Sequence, residues 1–69
     1  MKSIQEIEKH TLSNGDIIRV TKLNRKYTVT TIYHDADYAP DCEQDLNKNQ
    51  ALTRLAEIIR QDVLEIEEV

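Results

Sequence analysis

Five acids stand within an eleven-residue stretch, Asp35, Asp37, Asp41, Glu43 and Asp45, and no base interrupts them. Carboxylates gathered in this way are the ligands a hard cation such as Ca²⁺ takes. The run Asp41-x-Glu43-x-Asp45 comes nearest to that chemistry, but it lacks the glycine that turns an EF-hand loop and a glutamate at the closing position. His10, His34 and Cys42 are the soft ligands, and they show no zinc spacing such as Cys-x₂-Cys or His-x₃-His. A nucleophilic thiolate needs a cationic setting, whereas Cys42 stands between Asp41 and Glu43. The single glycine, Gly15, belongs to a turn, so there is no glycine-rich phosphate loop. No catalytic residue, metal or cofactor is therefore expected, and the chain reads as a non-enzyme.

What remains is surface chemistry, and the charges are segregated. Residues 17–33 carry Arg19, Lys22, Arg25 and Lys26 and no acid, a local charge of +4. Residues 34–46 carry the five acids above, and residues 61–69 add Asp62, Glu65, Glu67 and Glu68. Those last acids sit at the negative end of a helix dipole, where cations would be favoured by roughly 0.3–1 kcal/mol each. Such a helix end either frays or is offered to something basic. Asp35, Asp37, Asp41, Glu43, Asp45, Glu65, Glu67 and Glu68 are thus the candidate protein-binding residues, steering the chain to a basic partner surface. A nucleic-acid-binding protein is one such partner, with the anions standing in for phosphates. The alternative is a nucleic-acid binder that inserts the basic hairpin into a groove through Arg19, Lys22, Arg25 and Lys26, with Tyr27 as a stacking ring. The net charge of −4 opposes it at long range.

The elements that must position these residues follow from pattern. Residues 16–23 and 26–33 are rich in Ile, Val, Thr and Tyr and flank Asn24-Arg25, which predicts a hairpin with Val20 facing Val29, Lys22 facing Tyr27 and Ile18 facing Thr31. Ile18, Val20, Tyr27, Val29 and Tyr33 then share a core face, and Ile17 and Ile32 become neighbours on the other face. Asn14-Gly15 marks an earlier hairpin turn of type I′, entered by a strand over about 9–12. Ser3 and Glu6 suggest a capping box and a short helical turn before it. Residues 34–46 show no period and hold the only proline, so a loop is expected, with a helical turn after Pro40 as a variant.

Residues 48–67 are the clearest element. Asn47 with Gln50 forms a capping box, and Leu46 with Ala51 a hydrophobic staple. Leu52, Leu55, Ala56, Ile59, Val63 and Ile66 make one apolar stripe, expected to lie on the sheet, while Leu64 points nearly the opposite way. The fold class is α+β: a two- or three-stranded antiparallel β-sheet packed against one long C-terminal α-helix, in a single domain.

A chain of 69 residues without Phe or Trp supports one small aliphatic core. Small cores often need a staple, and one cysteine cannot supply an internal disulfide, so help from a second chain, a homodimer included, is expected. Ile17, Leu23, Ile32 and Leu64 are the apolar residues left for such contact, and a self-associating assembly role is a further alternative. No apolar run approaches the roughly 20 residues of a membrane span, and the N-terminus shows no signal-peptide core, so a cytoplasmic protein is expected. The size, acidity and strands-then-helix order resemble those of small phage- or mobile-element-encoded inhibitor proteins, some anti-CRISPR proteins among them, a resemblance of class that assigns no residue.

Overall fold

The structure, a computed structural model, describes residues 3–67. Four strands, β1 (Gln5–Thr11), β2 (Ile17–Leu23), β3 (Lys26–Ile32) and β4 (Asp41–Leu46), precede one helix, α1 (Lys48–Glu67). The strands form an antiparallel meander in the order β1-β2-β3-β4. The class is α+β as expected, but the sheet has four strands rather than two or three.

The central hairpin has the expected register, with Val20 opposite Val29, Lys22 opposite Tyr27 and Ile18 opposite Thr31. Only Asn24 of its two loop residues takes a positive φ, at 60°. The preceding turn is not type I′, which would need two central residues at positive φ. The Gly15 N–H donates to the Leu12 carbonyl at 3.0 Å and the Leu12 N–H to that of Asp16 at 2.7 Å, with Gly15 alone at φ 97°. Gly15 is therefore the left-handed residue that follows the turn. A Cβ there would stand 3.4 Å from that of His34, so glycine also admits the neighbouring segment.

Both edge strands depart from the sequence reading. Residues 5–11 are a strand, and the short helical turn after Ser3 is absent. The register shifts between Glu6 and Glu8, so Ile7 is an extra residue in the ladder. Residues 41–46 are also a strand, where a loop or helical turn was expected. β4 pairs with β3 through Val29–Glu43, Thr30–Cys42 and Thr31–Asp41, and Asp45 takes up the bulge before Leu46 at φ 60°. Pairing to a β-branched neighbour strand supplies what the polar sequence Asp-Cys-Glu-Gln-Asp lacks.

The helix begins at the expected cap. The Gln50 N–H donates to Asn47 Oδ1 at 2.8 Å, and the Asn47 N–H to Gln50 Oε1 at 2.9 Å. Leu46 packs against the cluster that contains Ala51, as a staple should. The core comprises Ile18, Val20 and Val29 from the sheet and Ala51 and Leu55 from the helix, with Ile58 and Ile59 packed against it. The helix thus buries Ala51, Leu55 and Ile58, with Ile59 beside them, so Leu55 and Ile59 of the expected stripe meet the core. Leu52, Val63 and Ile66 remain 38%, 46% and 52% exposed. α1 contacts β2, β3 and β4, and β1 is left uncovered among the described residues. Ile17 and Ile32 face each other on the side of the sheet away from α1, both half-buried.

Candidate docking cleft

One end of the molecule collects the β1–β2 turn, the segment 33–40 and the C-terminal half of α1. Asp62, a charge on the otherwise apolar line of the helix, reaches the turn: the Ser13 hydroxyl donates to it at 2.5 Å and the Ser13 N–H at 3.1 Å. Asp16 is the one buried polar residue among those described, at 7% exposure. Its Oδ1 accepts the His34 backbone N–H at 2.9 Å and contacts His34 Nδ1 at 2.5 Å. Its Oδ2 accepts from the Asn14 amide at 3.1 Å. These donors, the His34 N–H foremost, hold the Asp16 carboxyl below its ordinary value of 3.8. Asp16 is therefore an anion that locks the turn to the start of the next segment.

Between sheet and helix at this end lies an open cleft of about 570 Å³. Its floor is apolar, from Leu12, Ile18 and Ile58, and its walls carry Asp16, Glu57, Asp62 and Glu65. Among the described residues Arg54 is the only Lys or Arg on the lining, and its guanidinium is taken by Glu43 of β4 at 2.7 Å and reaches Glu57 at 3.5 Å. The Glu43 contact foremost raises the Arg54 pKa. Tyr33 closes one side; its hydroxyl donates to Asp41, which raises the phenol above its ordinary value of 10.0. Tyr38 stacks obliquely on Tyr33 with ring centres 5.8 Å apart. Asp35 turns the segment by accepting the Asp37 N–H at 3.0 Å on its side chain and the Tyr38 N–H at 3.1 Å on its carbonyl. The result is an anionic mouth over an apolar floor, with one wall of phenol, suited to a side chain that is aliphatic along its stem and cationic at its tip.

The candidate residues divide between the two ends. Asp35, Asp37 and Asp41 lie in or beside the segment that borders the cleft, Glu65 lines it, and Glu67 is two residues beyond. Glu68 lies outside the described residues. Glu43 is engaged with Arg54, and Asp45 is at the other end of the molecule, in a shallow groove with Leu23 and Lys26. Asp16, Glu57 and Asp62 were not singled out by the sequence. The Asn-Gly-Asp run was a signal for the first, and an acid in register with buried apolar positions for the last.

The four basic candidates do not share a face. Arg19 points away from α1 and bonds Glu6 at 2.9 Å. Lys22 lies on the helix side, 5.6 Å above the Tyr27 ring. Arg25 and Lys26 occupy the hairpin tip. His10 pairs with Glu8 at 3.3 Å, and Cys42 is exposed beside Thr30. Among the described residues no group of three His, Cys, Asp or Glu side chains could hold a metal ion, and no helix is long and apolar enough to cross a membrane.

Fold and site together define a small α+β protein, a four-stranded antiparallel meander with one helix across a face and an acidic cleft at one end. Comparison of the chain with protein-family models, with curated proteins and with solved structures found no match.

Proposed function

We propose that the protein is a non-enzymatic interaction module that docks its acidic end on a basic surface of a partner protein. The observation that carries this reading is the cleft, where Asp16, Glu57, Asp62 and Glu65 surround an apolar floor and the one guanidinium is already held by Glu43. An arginine or lysine side chain of the partner enters the cleft. Its methylenes lie on Leu12, Ile18 and Ile58, and Tyr33 and the carboxylates receive the charge. Asp35 and Asp37 extend the negative field beyond the cleft and raise the rate of encounter more than the final affinity. A nucleic-acid-binding protein is a fitting partner, because its own surface is built for anions, and blocking that surface is how an inhibitor of the phage-encoded kind would act in the cytoplasm.

An arginine-rich peptide, titrated at several salt concentrations, tests the reading. Asp35→Asn, Asp37→Asn and Glu65→Gln combined should weaken binding about tenfold and flatten its salt dependence. Asp45→Asn, at the opposite end, should leave both unchanged. Equal losses from the two variants, or no loss from the first, would overturn the proposal. Labelled DNA in roughly 50 mM salt tests the competing reading: binding lost with Arg25→Ala and Lys26→Ala would favour the hairpin tip as a nucleic-acid site.

A further inference from the structure

Asn14-Gly15 is the one place in the chain where a side-chain amide is followed by glycine. The pair is chemically labile. With no Cβ to hinder it, the glycine nitrogen can close on the asparagine Cγ. In the folded turn that attack is held off. The Gly15 N–H is committed to the Leu12 carbonyl at 3.0 Å. The Asn14 amide is pinned at both ends by one residue: its Oδ1 accepts the Asp16 N–H at 2.9 Å, and its Nδ2 donates to Asp16 Oδ2 at 3.1 Å. Turning Cγ onto the Gly15 nitrogen breaks both bonds. Asp16 is itself buried and tied to His34, and Ser13 is tied to Asp62 of the helix. The amide is therefore released only when this end of the sheet opens locally. Asn14 and Gly15 are exposed, so water has access to the pair.

We propose that Asn14 is a site of spontaneous deamidation, guarded by the closed turn, and that the product cannot restore that turn. In the opened turn the Gly15 nitrogen gives up its proton and bonds to Asn14 Cγ. The Cγ–Nδ2 bond breaks, and Nδ2 leaves with that proton as ammonia, so a succinimide ring remains. Water then opens the ring at one of its two carbonyls. Cleavage between Cγ and the nitrogen leaves aspartate. Cleavage at the other carbonyl leaves isoaspartate, with one more CH₂ in the main chain. Water is the only co-reactant. Both products oppose the native turn. Aspartate puts a carboxylate, which only accepts, where the Nδ2 donor stood 3.1 Å from Asp16 Oδ2. Two carboxylates that close do not both ionise without cost. Isoaspartate lengthens the main chain inside the loop that the Gly15–Leu12 and Leu12–Asp16 hydrogen bonds close at 3.0 and 2.7 Å. Leu12, Asn14 and Asp16 also line the cleft, so the reaction alters that end of the molecule irreversibly. The stability of the turn then sets how long the cleft lasts. The inference does not rest on the docking reading above.

Ageing the whole protein in mildly alkaline buffer, followed by peptide mapping in a mass spectrometer, tests it. Exchange of the amide nitrogen for oxygen should appear at Asn14 before Asn24, Asn47 or Asn49, as a mixture of aspartate and isoaspartate. In the same buffer with enough urea to unfold the chain, the reaction should run at least about tenfold faster, because it follows the population of the open turn. First loss at another asparagine would overturn the site, and a folded rate equal to or above the unfolded one would overturn the guard. Asn14→Asp supplies the first product outright. It should lower the urea midpoint at neutral pH by about 0.5–1 M. An unchanged or raised midpoint would overturn the claim that the product cannot restore the turn. In an Asp16→Asn background, where the opposed charge is gone, Asn14→Asp should lower the midpoint by less than roughly half as much. An equal loss in both backgrounds would mean that the facing carboxylates are not the cause.

Discussion

Replacing Asp16 by alanine should cost this protein a large part of its stability. The side chain is 7% exposed and satisfies the His34 backbone N–H at 2.9 Å and the Asn14 amide at 3.1 Å. A hydrogen bond to a charged group contributes about 1.5–3 kcal/mol, and its donors here belong to the exposed residues His34 and Asn14, so no buried-donor penalty is added. The contact with the His34 ring adds less, because that ring is 56% exposed. Asp16→Ala is therefore expected to lose about 2–3 kcal/mol. For 69 residues the whole folding free energy is about 3.5–10 kcal/mol, so the variant sits near the edge of folding. In urea, with a slope of about 1 kcal/mol per molar for so small a chain, the midpoint should fall by about 2–3 M. Asp16→Asn keeps an acceptor for the His34 N–H and should lose roughly half as much. The pH dependence has a fixed sign. Asp16 titrates below 3.8 in the folded state, so its ionic stabilisation is complete above about pH 5 and disappears as pH falls through the folded value. The gap between the wild type and Asp16→Asn should close in acid. A midpoint shift under about 0.5 M for the alanine variant, or a gap that widens in acid, would refute the view that this carboxylate fastens the cleft end of the sheet.

Asn47→Ala should cost about 1 kcal/mol by removing the acceptor for the Gln50 N–H, read as a lower urea midpoint; a loss below a few tenths would mean the cap is idle. Asp45→Gly should stabilise by up to about 1 kcal/mol, because Asp45 holds φ 60° in the β4 bulge and glycine does so without steric cost; destabilisation would contradict this. Tyr33, whose hydroxyl donates to Asp41, should ionise late in an alkaline absorbance titration. The stability this bond adds is present below pH 10.0 and lost as pH rises through the raised folded value, and Asp41→Asn should return the late tyrosine to the ordinary range.

The hairpin and helix were legible because one physical signal dominated each. Alternating β-branched residues and a two-residue loop leave Val20 and Val29 one sensible register. Asn47, Gln50, Leu46 and Ala51 state a helix start in side chains alone. β1 and β4 were obscured because edge strands here take their stability from a neighbour. Ile7 is an extra residue that breaks the period of β1, and β4 places Glu43 where Arg54 can meet it rather than an apolar residue. The helix misled in a more instructive way. Its buried line ends in Asp62, whose charge is satisfied by Ser13 from 49 residues away, and a hydrophobic pattern has no means of seeing that partner. The pattern therefore joined Leu55 to Leu52, Ala56, Ile59, Val63 and Ile66 in one stripe, of which Leu55 and Ile59 meet the core. The acidic end was partly legible: the loop acids were visible, but Asp16, Glu57 and Asp62 join them only once the turn, sheet and helix meet.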